Sequence, residues 1–170
     1  SGDIFSLRII YNNETITSST LVPVKPNNVN IFPETLALTT TSTGFGGFAL
    51  DTNSIMVSWS NPDSTLYYVV IQNLEANPIL ITYTSGKVNS TKVTFPPRAT
   101  SESLIGRRNI TYVGRHAAIV YKVNQEYADL YESRTQDSRN LNEPISNIDN
   151  GLGVFSAFAS DTVYFIVVSE

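Results

Sequence analysis

Apolar and polar residues alternate along much of this chain, which is the pattern of strands that bury one face. The clearest case has Ile55, Val57 and Trp59 separated mostly by serines. A polar break with Pro62 follows, and the next apolar run, 66–71, is rich in aromatic and β-branched residues. Because proline presets a backbone angle that turns need, we predict a strand, a turn and a second strand, with Trp59 in the core.

Comparable patterns elsewhere predict about nine short strands in all. The further predicted strands are 4–11, 14–22, 29–38, 78–84, 87–95, 109–123 and 162–168. Asn12 and Asn13 suit a hairpin turn between the first two, since asparagine tolerates positive φ angles. The last strand is apolar at both odd and even positions, so we expect a central strand that is covered on both faces.

A helical period occurs only once. Tyr127, Leu130, Tyr131 and Arg134 recur at i, i+3, i+4 and i+7, which predicts a helix over about 125–136. The sequence therefore predicts a mainly all-β fold, an immunoglobulin or fibronectin type III-like β-sandwich with one late helix inserted before the closing strand.

The first 22 residues form a predicted hairpin that Pro23 and Pro26 set apart from the rest. A two-stranded hairpin is marginal by itself. Residues 1–22 are therefore expected either to pack on the main domain or to be the remnant of an upstream β domain. The β-sandwich domain then spans 23–170. The chain opens on Ser1 and Gly2 without a signal peptide, so we expect a trimmed product of a longer precursor.

Composition and charge exclude several classes of function. The net charge of −4 argues against a chain-wide basic surface for nucleic acid. The one local basic group, Arg107, Arg108 and Arg115, is too small to indicate a polyanion site. The absence of cysteine excludes disulfides, thiolate metal sites and cysteine nucleophiles.

Candidate catalytic and metal-binding residues are few. His116 is the only histidine, and no nucleophile motif accompanies it, so a hydrogen-bonded or strand-surface histidine is a simpler interpretation than a catalytic one. Asp149, Asn150 and Gly151 resemble part of a calcium loop but lack its spacing and its terminal glutamate, which favours a turn. We predict no catalytic residues, no metal and no cofactor, and a hydrolase using His116 is the least favoured hypothesis.

Tyr67 and Tyr68 are the candidate ligand-binding residues, because an exposed aromatic ring can stack on a sugar or a peptide. Neighbouring strand residues point to opposite faces, so one of the two rings should be exposed or half covered.

The segment 147–155 is predicted to be a structural loop. Asn147 can bond nearby backbone, Gly151 and Gly153 can adopt conformations closed to other residues, and Leu152 and Phe155 are the expected apolar anchors. Truncating a buried Phe155 should cost ~3–5 kcal/mol, whereas Asp149→Ala should have little effect.

Two resemblances extend this picture. Trp59, the turn at Asn61 and Pro62, and the following YYVVIQ strand resemble the early strands of a fibronectin type III module. From Pro144 to Phe155 the chain reads P-x-SNI-x-x-GLG-x-F, after a tyrosine-containing helix pattern. This stretch is similar to one in a family of Bacteroidota outer-membrane lipoproteins classed as a domain of unknown function.

The lipoprotein resemblance implies a cell-envelope location, outer membrane-anchored or periplasmic, and partnership with TonB-dependent outer-membrane receptors. It implies no catalytic residues. The family's lipobox cysteine and preceding β domain do not occur in this chain, so any lipid anchor would lie outside it. The preferred hypothesis is a non-enzymatic binding or assembly domain, and the alternative is a carbohydrate-binding module that uses exposed tyrosines.

Overall fold

The computed structural model describes residues 2–38, 53–81, 90–133 and 146–169, and strands dominate these ranges. The strands are β1 (Ile4–Tyr11), β2 (Glu14–Leu21), β3 (Asn27–Phe32), β4 (Thr35–Leu38), β5 (Ser54–Ser60), β6 (Tyr67–Asn73), β7 (Lys92–Thr94), β8 (Glu102–Gly106), β9 (Gly114–Val123) and β10 (Phe158–Ser169). One α-helix, α1 (Gln125–Ser133), precedes β10, and a 3-10 turn covers Arg107–Asn109. The predicted mainly β fold with a late helix is confirmed.

Several predicted boundaries differ from the structure. The strand expected over 78–84 is reduced, in its described part, to a single bridge between Leu80 and Tyr112. The long strand expected from residue 109 begins only at Gly114. The predicted end of the helix, 134–136, and Pro144 of the lipoprotein-like stretch lie outside the described residues.

The described strands form three sheets. Strands β1 and β2 form a hairpin, and β3, β5 and β8 form a second sheet in that order. The largest sheet has the order β4-β10-β9-β6-β7, with β10 parallel to β4 and antiparallel to β9. The chain therefore crosses between sheets from β5 to β6. Asn61 holds this crossing, because its amide bonds Thr65 N, Thr65 O and Thr100 O at 2.9 Å each.

The two larger sheets share one hydrophobic core. Ile55, Val57 and Trp59 of β5 alternate inward, as predicted, and Trp59 lies 5.4 Å from the ring centre of Tyr67 on β6. The five-stranded sheet adds the following buried residues: Leu36, Leu38, Val69, Ile71, Ala118, Val120, Phe165 and Val167. Alternation along β5 therefore separates a core face from an outer face, whereas β6 and β9 each bury three consecutive residues, Val69–Ile71 and His116–Ala118.

The N-terminal hairpin forms as expected. Asn12 and Asn13 have φ angles of 47° and 67°, which suit a two-residue hairpin loop. The hairpin contacts the rest of the chain through a bridge between Thr17 and Asp149 and through Asn124, whose amide donates to Leu21 O at 2.9 Å. Whether 1–22 belongs to an upstream domain stays a prediction.

Strand β10 corrects one prediction. It lies inside the five-stranded sheet, between β4 and β9, as expected of a central strand. Only Phe165 and Val167 are buried, however, while Tyr164 is 64% and Ile166 46% exposed. An apolar run without alternation does not distinguish a strand covered on both faces from one that presents an apolar face to the outside.

Candidate functional site

Tyr67 and Tyr68 occupy opposite faces of β6, as predicted from their adjacency. Tyr67 is 4% exposed and belongs to the core, with Lys122 Nζ 5.8 Å from its ring centre. Tyr68 is half-buried on the outer face. Of the two candidate ligand-binding residues, only Tyr68 therefore retains a partly accessible ring.

The Tyr68 ring lies within an aromatic cluster, which we define as Tyr68, Tyr121, Tyr127 and Phe158. Its ring centre is 4.7 Å from that of Tyr121, with the two planes 5° apart, and 5.7 Å from that of Tyr127. Phe158 meets Tyr127 edge to face at 4.8 Å. Strand register explains the first contact, because Tyr68 is directly paired with Tyr121.

Burial of the Tyr68 hydroxyl raises its pKa to about 12, and the neighbouring Tyr127 and Tyr121 act in the same direction. The phenol is therefore neutral at physiological pH and partly withdrawn from water. Protein rings already contact the Tyr68 ring, so the area left for stacking a sugar is reduced.

His116 is buried at the start of β9, with 3% of its surface exposed. Its Nδ1 lies 2.9 Å from Gly114 O, which can only accept, so this nitrogen carries the proton. Its Nε2 then accepts from Asn73 Nδ2 at 3.2 Å, and its ring stacks on Phe165 at 5.1 Å. Both ring nitrogens are engaged, as in the hydrogen-bonded interpretation of the sequence.

Gly114 and Glu75 shape the neighbouring surface. The Glu75 carboxylate accepts from Arg115 N at 2.8 Å and from Arg115 Nε at 3.3 Å, and these bonds lower its pKa. Gly114 has φ +98°, and a Cβ there would come within 2.6 Å of Glu75 Cγ. Glycine is therefore required both by the backbone angle and by the close approach of this side chain.

Acid should destabilise the protein through His116. Desolvation lowers the pKa of His116 below its ordinary value of 6.5, against smaller opposing effects of Gly114 O and Glu75. The folded state favours the neutral ring, so its contribution to stability is full above pH 6.5 and decreases as pH falls towards the lower folded-state pKa. We expect the parent to lose more free energy of unfolding between pH 7 and pH 5 than His116→Gln, measured by urea denaturation.

Two carboxylates do not interfere with that comparison. The lowered pKa values of Glu75 and Asp161 lie below 4.5 and 3.8, outside the pH interval. Equal losses in the parent and in His116→Gln would show that His116 is not the acid-sensitive group.

The loop that contains Asn147 is held by a reciprocal pair of bonds. Asn147 Nδ2 donates to Phe155 O and Asn147 Oδ1 accepts from Phe155 N, both at 2.8 Å. Gly153 has φ +139°, as expected for a position that favours glycine, and Asn147 N donates to its carbonyl at 3.2 Å. Gly151 is different, because space rather than φ restricts it: a Cβ would lie 3.0 Å from Ile148 Cγ2.

The apolar anchors of this loop differ from the prediction. Leu152 is 78% exposed, so it anchors nothing within the described chain. Phe155 is half-buried and lies outside the core cluster. Polar bonds of Asn147 therefore hold the loop more than apolar burial does, and we expect a smaller cost for Phe155→Ala than full burial would give.

Asp149 contacts the hairpin rather than other carboxylates. Its Oδ2 accepts from Thr17 Oγ1 at 3.1 Å, and its backbone bonds both Thr17 N and Thr17 O. Across the part of the chain that the structure describes, no three His, Asp or Glu side chains are grouped as metal ligands would be.

Three exposed apolar surfaces were not anticipated from the sequence. One is the outer face of β10, with Tyr164, Ile166 and Val168. The second is β1, where Ile4 and Ile10 are 70% and 67% exposed. The third is the row of Phe32, Met56 and Leu104, which are paired across β3, β5 and β8. For β1 and β10, the sequence signal of an exposed apolar surface is that apolar residues occupy both odd and even positions. In β10 this signal was interpreted as burial of both faces.

An open cleft of about 740 Å³ separates the hairpin from the end of β9 and the start of α1. Its walls include Thr20 and Leu21 of the hairpin, Leu66 before β6, and Lys122 and Asn124. Asn124 crosses one side of the cleft, because its amide donates to Thr20 Oγ1 at 3.1 Å.

Comparison of the chain with protein-family models, with curated proteins and with solved structures finds no match. The resemblance to Bacteroidota lipoproteins stays a prediction. No helix in the described ranges has the length and apolar character needed to cross a membrane.

Proposed function

We propose that this chain is a non-enzymatic binding or assembly domain of a Bacteroidota cell-envelope lipoprotein, accessory to a TonB-dependent outer-membrane receptor. The observation that carries this proposal is the exposed apolar face of β10. Contiguous exposed apolar surface is typical of protein contact sites. The envelope assignment rests on the resemblance of the stretch around Asn147 to the lipoprotein family, and in the structure Asn147 bonds the backbone of Phe155 within this stretch.

The strand order supports an immunoglobulin or fibronectin type III-like sandwich as the scaffold. If β3, β5, β6, β8, β9 and β10 are lettered A, B, C, E, F and G, then A, B and E share one sheet and C, F and G the other. This is the division found in immunoglobulin domains. The helix α1 then lies in the connection between F and G.

The β10 face suits a protein partner better than a small ligand. Tyr164 and Ile166 project from neighbouring positions of one strand face, and Arg115 lies beside them as the paired residue of Ile166. Tyrosine and arginine are among the residue types that are enriched where binding energy is concentrated in protein interfaces.

Co-purification from native membranes tests the proposal. We expect the parent to recover a TonB-dependent receptor from the source bacterium, and Ile166→Ser to reduce that recovery strongly. Leu104→Ser is the matched control, because Leu104 is 61% exposed on β8 of the other sheet. Equal recovery with both variants, or a full-length protein found in the cytosol, would contradict the proposal.

A second candidate function is carbohydrate binding through the aromatic cluster. The observation that favours it is the half-buried Tyr68 ring on an outer face, beside Tyr121 and Tyr127. A glycan array with the parent, Tyr68→Ala and Tyr67→Ala shows whether the protein binds sugars and whether the Tyr68 ring is responsible. Specific sugar binding lost in Tyr68→Ala would support this function, whereas no binding by the parent would end it. Tyr67→Ala reports only on stability, because Tyr67 is in the core.

A further inference from the structure

Strand β1 is exposed on both faces and along one edge. Ile4, Phe5, Ile10 and Tyr11 are each more than half exposed. Within the described ranges, β1 pairs with β2 alone. An exposed apolar edge strand is a template for pairing with a further strand, and a hairpin of two strands gains stability when the sheet is extended.

Hydrogen bonds from the rest of the chain reach one edge of the hairpin, the outer edge of β2. On β2, Thr17 N and O bond to Asp149 at 3.3 and 2.8 Å. Thr15 O accepts from Asn150 Nδ2 at 3.0 Å, and Leu21 O accepts from Asn124 Nδ2 at 2.9 Å. The body of the protein therefore occupies the β2 edge, and the β1 edge faces away from it.

The register determines which main-chain groups face that free edge. Tyr11 and Glu14 flank the two-residue loop and form the first hydrogen-bonded pair, so bonding pairs alternate from there. Thr17 confirms the alternation, because its N–H and C=O bond away from its partner Arg8. The residues of β1 whose N–H and C=O face outward are therefore Ile4, Ser6, Arg8 and Ile10.

We propose that β1 pairs antiparallel with β1 of a second copy of this chain, with Leu7 opposite Leu7. In this register Phe5 faces Ile9 and Ile4 faces Ile10, so apolar residues meet on both faces of the strand. Arg8 faces Ser6. The result is a four-stranded sheet across a two-fold axis, in which each copy contributes the same surface.

The two neighbouring registers that preserve the hydrogen bonding are less favourable. Moving one strand by two residues in one direction places Arg8 opposite Arg8, and like charges directly opposite each other destabilise a strand pair. Moving it in the other direction places Ser6 opposite Ser6 and pairs only residues 4–8 of β1, so Ile9 and Ile10 have no partner in the second strand. Moving one strand by a single residue places residues whose N–H and C=O face outward opposite residues whose N–H and C=O face β2, so the main-chain hydrogen bonds between the two copies cannot form. The order of residues in β1 thus selects the Leu7-centred pairing, independently of the function proposed above.

A cysteine cross-link tests the register directly, since the parent has no cysteine. Leu7 would form a non-hydrogen-bonded pair with its copy, whose Cα atoms lie about 4.5 Å apart, within the range for a disulfide. Leu7→Cys should therefore give a covalent dimer on mild oxidation. Ile9→Cys is the matched control, because its copy would lie four residues along the strand, roughly 13 Å away. Equal cross-linking of both variants, or of neither, would overturn the proposal.

Sedimentation equilibrium tests the association itself. We expect a concentration-dependent dimer for the parent and for Ser6→Ala, and a monomer for Ser6→Pro, which loses an outward N–H while every bond to β2 remains. The thermal unfolding curve of Ser6→Pro serves to show that it is folded. A parent that stays monomeric would overturn the proposed dimer. The proposed function would still stand if that monomer recovered a receptor through β10.

Discussion

Replacing Trp59 by alanine is expected to lower the free energy of unfolding by ~3–5 kcal/mol, a large share of the ~5–15 kcal/mol typical of a domain. Trp59 is 5% exposed and contacts Tyr67. It lies near the end of β5, just before the chain crosses to the other sheet, and it anchors this strand in the core. The lost area and the cavity left behind both contribute to the cost. Urea denaturation followed by circular dichroism measures the change.

Met56→Ala is the control for this prediction. Met56 lies on the same strand as Trp59 but on the opposite face, with 39% of its surface exposed. We expect its truncation to cost much less than that of Trp59. Similar losses for the two variants would show that β5 does not have one core face and one outer face.

The second large effect is expected for Asn147→Ala, which removes both bonds to the Phe155 backbone. Leaving a partly buried N–H and C=O without partners costs about 1–3 kcal/mol per group. The loss should appear as a lower melting temperature. Asn147→Asp keeps the acceptor for Phe155 N but not the donor for Phe155 O, so it should fall between the parent and Asn147→Ala.

Asp149→Ala separates a structural loop from a metal site. Asp149 makes one exposed side-chain bond, to Thr17, so its loss should change stability by well under the effect of Asn147→Ala. If Asp149→Ala proved the more damaging change, or if calcium raised the melting temperature of the parent but not that of Asp149→Ala, the loop would be a metal site and the structural interpretation would be wrong.

Patterns among a few neighbouring residues correctly predicted the features of the fold that depend on those residues alone. Alternation placed Trp59 in the core, paired asparagines marked the hairpin loop, and the change of period located α1. Adjacency on a strand correctly separated Tyr67 from Tyr68. Each of these follows from the geometry of a few consecutive residues.

Long-range partners could not be predicted in this way. Nothing near His116 in the sequence indicates that Asn73 will hold its ring, and nothing near Asn147 indicates Ser18, whose hydroxyl donates to Asn147 O at 2.6 Å. The apolar face of β10 was assigned to burial because composition records how apolar a strand is, not whether another element covers it. Leu152 was taken for an anchor for the same reason.

The most direct test of a binding domain that acts through β10 is site-specific photo-cross-linking in living cells of the source bacterium. A photoreactive residue replaces Ile166 in one variant and Leu104, on the other sheet, in the second. We predict that position 166 forms a covalent product with an outer-membrane receptor and that position 104 does not. A product from position 104 alone, or no receptor product from position 166 in a protein that is folded and present in the envelope, would contradict the proposal.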